Sequence, residues 1–331
     1  MLRLGIIGLG NIGRFHVQAA LANSQVDLVA IADPRPPDQV PQNVTWYQRW
    51  EEMLVRSDLD AISVCVPHHL HAPMTLAALE AGKHVLVEKP LALTVEEGRG
   101  LLQKAAETDR VLMVELTHRF YPAMQQAKAF LESGKLGGIY AVEDRIVEAV
   151  SSQLLPWLQS RAQAGGGVAL TNGVHMLDRV AALTGQSLTF EHGRAGFKAN
   201  LGNVEDTAAL SLSLEDGTPV QLLAAWPRGG SACDDELTLY GTGGTLRVWA
   251  WRGWRFEPVS GIEPPIETAS YAAEANIAAR VAAGVSNALQ EFVEAIATHH
   301  APHLTADAAL KAQELVEEFY RYTGLSHDLA S

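Results

Sequence analysis

The sequence predicts an α/β chain in two parts: a doubly wound parallel sheet, then an α+β domain whose sheet is mostly antiparallel. Three observations carry this. Strand-like and helix-like runs alternate over the first third, which implies parallel strands joined by right-handed crossovers. After about Thr117, strand-like runs follow one another without intervening helices, the pattern of an antiparallel sheet. The chain has 331 residues, 47% of them apolar, enough for about two domains with cores of their own.

The first strand is Leu2–Ile7. It runs into Gly8-Leu9-Gly10-Asn11-Ile12-Gly13, which opens an amphipathic helix over Asn11–Ala22. A second apolar strand, Val26–Ala32, ends at Asp33. Strand, G-x-G-x-x-G turn, helix and acid-tipped strand together form the fingerprint of a dinucleotide site. Gly8 permits the tight turn, Gly10 leaves no Cβ to block a pyrophosphate, and Gly13 lets the helix lie close to the sheet. Leu9, Asn11 and Ile12 complete the phosphate turn, where helix amides and dipole favour negative charge. Asp33 lies twenty residues past Gly13, near the spacing of the acid that holds the ribose hydroxyls. A carboxylate there repels a 2′-phosphate and favours NAD, while the neighbouring Arg35 leaves NADP open. Pro34, Pro36 and Pro37 restrict the loop that follows.

Tyr47–Arg56 reads as a helix, Ala61–Val66 as a buried strand, Pro73–Ala81 as a helix ended by Gly82, His84–Val87 as a strand, Val95–Glu107 as a helix and Val111–Val114 as a strand. Ligands on such a sheet bind outside the carboxyl ends of the strands. That rule places Val66, Pro67, His68 and His71, after one strand, on the cofactor side, and Glu88 and Lys89 likewise after the next. Lys89 is thereby a candidate proton donor or acceptor, because a partly dry cleft lowers the preference of an amine for charge. A cis Lys89–Pro90 bond is open to either outcome at this level.

Further along, Pro122–Ser133 reads as a helix and Tyr140–Val150 as a strand. Gly165-Gly166-Gly167 leads into a helix near Val168–Leu183. Strands follow at Leu188–Phe197, Thr207–Leu214, Val220–Trp226, Glu236–Tyr240 and Thr245–Trp251, with turns at Glu215-Asp216-Gly217 and Gly241–Gly244. Ala272–His299 and Ala306–Tyr322 are closing helices. The expected division is 1–120 and 121–331, with a cleft between.

Composition excludes several classes. There are 25 Lys and Arg against 38 Asp and Glu, a formal net charge of −13, which repels nucleic acid and anionic membrane. The two cysteines, Cys65 and Cys233, form no disulfide framework or zinc spacing, and no apolar run is long enough to span a bilayer. A reducing, cytoplasmic setting is expected. His299-His300-x-x-His303 has no carboxylate or helix-face spacing to complete a metal site, so no metal is expected. Trp249 and Trp251 fall on one strand face, which suits sheet packing or a subunit interface.

Pro67-His68-His69-Leu70-His71, together with Ala81-Gly82-Lys83-His84-Val85-Leu86-Val87-Glu88-Lys89-Pro90-Leu91-Ala92, closely resembles the Gfo/Idh/MocA family of nicotinamide-dependent oxidoreductases. The resemblance covers nearly the full length. It is strongest over residues 1–120 and continues through the triple glycine and Gly173-Val174-His175-Met176-Leu177-Asp178. It implies an N-terminal Rossmann dinucleotide-binding domain plus a C-terminal α+β domain with an open-faced, mostly antiparallel sheet. It also implies hydride transfer on sugars, cyclitols or related polyols, a catalytic lysine at Lys89, and homodimers or homotetramers assembled through the exposed sheet.

The chain departs from the family pattern in two places. Where the family carries Asp-x-x-x-His after the triple glycine, this chain has Thr171 and His175. Residues four apart share one α-helical face, so Thr171 remains beside His175 but supplies no carboxylate. Asn172 is adjacent on the helix, and Asp178 lies three residues beyond His175, placed to orient its ring. With Arg119 of His118-Arg119-Phe120, these are the candidate substrate-binding residues. Where the family carries Trp-Arg before the glycines, this chain has Trp157-Leu158. Trp157 suits a wall beside the nicotinamide, and Arg161 is a candidate substitute for the missing arginine.

The leading expectation is an NAD- or NADP-dependent dehydrogenase or reductase. In one reading His175 is the acid/base and Lys89 polarises the reacting oxygen; in the other Lys89 is the base and His175 binds substrate. Two alternatives of other classes stay open: a nucleotide-binding sensor that lost its chemistry at Thr171, and a glycosidase that borrows NAD for transient oxidation.

Overall fold

A computed structural model describes residues 1–150, 154–229, 233–250, 252–259, 266–267, 277–300 and 305–325. Contacts divide the chain into two compact units, 1–117 with 281–311, and 118–280 with the chain from 312 on.

In the first unit β1 (Leu2–Ile7), β2 (Val26–Ala32), β3 (Thr45–Tyr47), β4 (Ala61–Val64), β5 (His84–Glu88) and β6 (Leu112–Glu115) form a six-stranded parallel sheet in the order β3-β2-β1-β4-β5-β6. Its order reverses between β1 and β4, and the carboxyl ends flanking that crevice are where a doubly wound sheet takes its ligand. All four residues of β4 are buried, and β1 and β2 are nearly so, because helices cover both faces. Helices α1 (Asn11–Ala22), α2 (Trp50–Leu54), α3 (His71–Glu80) and α4 (Val95–Thr108) make the crossovers. At the start of α4 the Thr94 hydroxyl accepts the Glu97 amide at 3.2 Å, and the Glu97 carboxylate accepts the Thr94 amide at 3.1 Å. This reciprocal cap satisfies two donors that the helix itself leaves open.

One expected element is divided. The helix read over Tyr47–Arg56 is a short strand, β3, followed by the five-residue α2. The β-branched and aromatic run Thr45-Trp46-Tyr47 pairs with Ala30–Ala32, and edge pairing wins over helix propensity.

The second unit contains α5 (Pro122–Glu132), β7 (Ile139–Glu148), α6 (Arg161–Ala164) and α7 (Val174–Thr184). These are followed by β8 (Leu188–Gly196), β9 (Thr207–Leu214), β10 (Pro219–Ala225), β11 (Cys233–Gly241), β12 (Gly244–Trp249), β13 (Gly253–Pro258) and β14 (Ile266–Glu267). The sheet order is β14-β13-β12-β11-β7-β10-β9-β8, and among the described residues only the β7–β10 pair of these strands is parallel. Its covered face packs Trp254 and Phe256 on Phe130 of α5, with ring centroids 5.0 and 4.7 Å away. The opposite face carries cross-strand polar pairs: Arg145–Asp234, Tyr240–Glu143, Arg247–Glu257, and Trp249 donating to Glu236. That is the alternation of a sheet with one face open. Trp251 lies outside the described residues.

Helices α8 (Ile277–Thr298) and α9 (Ala306–Tyr322) close the chain. Residues 281–311 pack on the first unit, although they follow the second in the chain. Asn23 donates to Gln290 at 3.0 Å, Gln290 donates to Gln25 at 2.8 Å, and Leu310 lies against Gly98. An amphipathic helix docks where its apolar face is best buried, however late it falls in the chain. Among the described residues no helix is long and apolar enough to cross a membrane.

Candidate active site

Each glycine of the first turn has its own steric reason. Gly8 sits at φ +94°, and a Cβ there would lie 2.1 Å from the Cys65 carbonyl oxygen. A Cβ on Gly13 would lie 2.0 Å from the Gly8 oxygen, so the helix can approach the turn this closely only without one. Gly10, at the N-cap of α1, meets nothing within 4 Å; its missing Cβ leaves open space in front of the helix amides. Asn11 and Ile12 are exposed on the same first turn. This cradle suits a pyrophosphate. A Gly13→Ala variant is therefore expected to lose dinucleotide binding by at least about tenfold, since backbone must shift to admit the methyl; titration of NADH fluorescence reads it.

Asp33 accepts the Leu9 amide at 2.8 Å through one oxygen and the Arg35 amide at 2.9 Å through the other. It borders a cavity of about 590 Å³ also lined by Leu9, Arg14, Gln18, Arg35 and Pro37. The residues present therefore fit an adenosine ribose, with one acid and two arginines at its rim.

At the ends of β4 and β5 the structure braces one loop against the other. The His71 ring is fully buried, its Nδ1 2.6 Å from the Pro90 oxygen and its Nε2 2.8 Å from the Val66 oxygen. His71, expected among the cofactor-binding residues, has each ring nitrogen against a backbone carbonyl; burial favours its neutral ring, which donates to one of the two at a time. His68, also buried, stands edge-on to it at 5.5 Å. Val66 and Pro67 are half-buried beside them. The Lys89–Pro90 peptide is cis. Glu88 accepts the Lys89 amide at 3.2 Å and stands 3.6 Å from His16, so its carboxylate lies among protein partners. His16, Glu88 and Glu115 form a buried cluster that nothing in the local sequence signals.

In the second unit the triple glycine answers to two residues that sequence reasoning missed. A Cβ on Gly166 would lie 1.9 Å from the Tyr320 hydroxyl, and one on Gly167 would lie 1.9 Å from the Glu205 carbonyl oxygen. The buried Glu205 carboxylate accepts the Gly167 amide at 2.9 Å, the Ala169 amide at 3.1 Å and the Tyr320 hydroxyl at 2.7 Å. Arg161 lies over the Tyr320 ring at 4.6 Å and 3.8 Å from Glu205, so it belongs to this network. Trp157 is half-buried in a 3₁₀ turn, Pro156–Gln159.

The helix expected at Val168–Leu183 begins as a π-helix, Ala169–Gly173, which becomes α7 at Val174. The widened turn changes the phase between Thr171 and His175, so α-helical spacing does not describe the pair; such turns recur at functional sites. Asn172 donates to Glu148 at 3.2 Å and accepts the Trp226 indole at 3.0 Å. Asp178, read as an orienter of His175, instead takes Arg119 in a two-pronged ion pair at 2.8 and 2.5 Å. Burial pushes the Asp178 carboxyl up and Arg119 opposes it. His175 stacks on His118, with ring centroids 4.2 Å apart and planes 11° from parallel. Behind them Arg179, fully buried, holds Asp144 and Asp235. Of the histidines near the end of α8, His300 faces the Thr298 carbonyl at 2.9 Å, and His303 lies outside the described residues.

Parallel sheet, glycine cradle and acid-tipped second strand define a dinucleotide-binding protein of the Rossmann class. Residues 2–116 match the NAD-binding Rossmann fold of the Gfo/Idh/MocA oxidoreductases, and residues 128–323 match the C-terminal alpha/beta domain of the same family. The chain belongs to the Gfo/Idh/MocA oxidoreductase family, and its relatives include named dehydrogenases. It is 28% identical over 250 residues to the rhizopine catabolism protein MocA of Rhizobium meliloti, covering 73% of this chain and 76% of that protein. It is 27% identical to scyllo-inositol 2-dehydrogenase (NAD(+)) of Bacillus subtilis, covering 76% and 75%. With D-glucoside 3-dehydrogenase of Escherichia coli it shares 32% over 190 residues, 56% of this chain and about half (54%) of that one. Among solved structures, a putative myo-inositol dehydrogenase from Sinorhizobium meliloti superposes with a TM-score of 0.79 at 20% identity, covering 98% of each chain; it shares the fold.

Proposed function

We propose that this oxidoreductase transfers hydride between NAD or NADP and a secondary alcohol or ketone of a sugar, cyclitol or related polyol. The observation that carries the reading is Lys89. It follows β5 on the same carboxyl edge that bears the glycine cradle, and its loop is held by Glu88 and His71. The inositol and glucoside dehydrogenases among the relatives support the substrate class. When bound, the nicotinamide accepts or gives the hydride. The residues of this chain bind and orient the polyol and move the hydroxyl proton. Lys89 and His175 divide substrate polarisation and proton transfer, Asp33 holds the adenosine ribose, and Trp157 and Thr171 border the reacting groups. Arg119 and Asp178 act as a pair. The proposed assembly is a homodimer or homotetramer through the open sheet face.

A screen of polyols with NAD and NADP, followed at the NADH absorbance band, tests this; cofactor binding with no turnover on any polyol overturns it. Thr171, where the family carries Asp, favours a second reading as a cofactor-binding regulator. A Thr171→Asp variant separates the two: a gain in turnover supports a weakened enzyme, while continued silence of both proteins supports the regulator. Asp33→Ala is expected to weaken NAD about tenfold and to narrow the gap to NADP, because the carboxylate that repels a 2′-phosphate is gone; paired binding titrations read it.

A further inference from the structure

We propose that His16 and Glu115 are positioning residues for Lys89: together they hold the Glu88 carboxylate and so key the lysine to the helix that carries the glycine turn. This rests on the reading of Lys89 given above.

The cluster joins four elements of the first unit. His16 lies on α1, three residues past Gly13, and is 1% exposed. Its Nε2 stands 2.7 Å from Glu115 at the end of β6 and 3.6 Å from Glu88 at the end of β5. Its Nδ1 stands 2.8 Å from the Ser63 hydroxyl of β4. Among the described residues no donor makes an aligned hydrogen bond to either Glu115 oxygen, so the His16 ring is its electrostatic counter-group.

The chemistry settles what the ring does. Facing two carboxylates, Nε2 carries the hydrogen and turns the positive edge of the ring toward them. The Ser63 hydroxyl rotates to donate to Nδ1 or to accept from it, so the ring keeps this bond in either charge state. At 2.7 Å the His16 Nε2 and the Glu115 oxygen are in close ion-pair contact. Two ligands on a tetrahedral zinc ion would stand about 3.3 Å apart, given their bond lengths. Burial pushes the Glu115 carboxyl up to about 7, against the pull of His16. Burial by itself would push the His16 ring down, yet it stands well above its ordinary value. Cys65 and Glu115 both draw it up, and the Cys65 thiol is itself pushed up by burial.

Glu88 connects this pair to the lysine. One of its oxygens faces His16, and the other accepts the Lys89 amide at 3.2 Å. The Glu88 side chain is 13% exposed, so without His16 it is free to turn to water and release that amide. On the other side of Lys89 the Pro90 carbonyl faces His71 Nδ1 at 2.6 Å. The imidazole thus ties the backbone of Lys89 to α1, whose first turn cradles the dinucleotide. A shift of about 1 Å at a reacting group is enough to cost up to about a hundredfold in rate.

The test replaces the buried pair as a unit. In His16→Leu/Glu115→Leu two charges leave the interior together, an exchange that is close to neutral for stability. The expected result is a wild-type Tm and NADH affinity with kcat lowered about ten- to a hundredfold. Adding Lys89→Ala to the pair should cause no loss beyond that of Lys89→Ala alone, because the pair acts through the lysine. Wild-type kcat in the folded double variant, or losses that multiply with Lys89→Ala, overturns the proposal. Should the double variant fail to fold, two single variants decide. His16→Gln keeps a donor near Nε2 and should retain most activity, while His16→Asn, which reaches only as far as Nδ1, should not; equal kcat in the two overturns the proposal. Failure of the underlying reading is distinguishable, since Lys89→Ala by itself would then turn over at the wild-type rate.

Discussion

Lys89→Ala is expected to lower kcat by about 10²- to 10⁴-fold, the range that a positioned acid or base supplies. NADH binding should change little, because the cradle and Asp33 lie on other loops of the sheet. Steady-state kinetics with a competent polyol, beside a fluorescence titration, measures both. The pH profile divides the roles. If Lys89 is the base in alcohol oxidation, activity rises with pH as the amine loses its proton, and the variant lacks that limb. If His175 is the base, Lys89→Ala keeps the limb at reduced amplitude and His175→Ala removes it. Partial recovery of Lys89→Ala by small primary amines would mark the amine as the missing group. Unchanged turnover would end the assignment of Lys89.

The second large effect is on stability. Arg179→Met should destabilise the second unit by about 3–5 kcal/mol, because it leaves two carboxylates buried without their cation. Arg179 donates to Asp144 through Nε at 2.8 Å and through Nη2, and to Asp235 through Nη1 at 2.6 Å. It thereby joins α7 to the neighbouring strands β7 and β11. Even with the arginine present, burial pushes the Asp144 carboxyl up to about 6. A carboxyl raised in the folded state contributes stability below its unfolded pKa and loses it as pH rises through the folded one. Without Arg179 the carboxyl moves further up, so the penalty is expected to be largest above about pH 6 and to shrink toward pH 5. Thermal melts across that range read it, with a fall in Tm on the order of 10 °C at pH 8. Adding Asp144→Asn and Asp235→Asn should recover much of the loss. A pH-independent Tm in Arg179→Met would show that the carboxylates are not the cause.

Much of the first unit was legible because its constraints are local. Strands Leu2–Ile7 and Val26–Ala32 and helix Asn11–Ala22 fall where periodicity and the glycine turn put them. The reasons for Gly8, Gly10 and Gly13 are present within one βαβ unit. Two short pieces that escaped, β3 and β14, are strands that exist only by pairing with a neighbour. The π-helix before His175 escaped as well. Nothing in Ala169–Gly173 favours a widened turn; the Glu205 carboxylate, 36 residues away in sequence, accepts the amide at its start.

The candidate site divides in the same way. Its residue types are readable: glycines, an acid after a strand, a lysine before a proline and a histidine after three glycines. Their partners are not. Asp178 met Arg119 and not His175, His71 met two carbonyls, and His16 met Glu88 and Glu115. The sequence by itself determined the doubly wound sheet, the glycine cradle and the family, because each depends on spacing within a few turns of chain. Only the tertiary structure decided which buried charges face one another, because a dry interior obliges each to find a counter-group, and that group is chosen by the packing of distant elements.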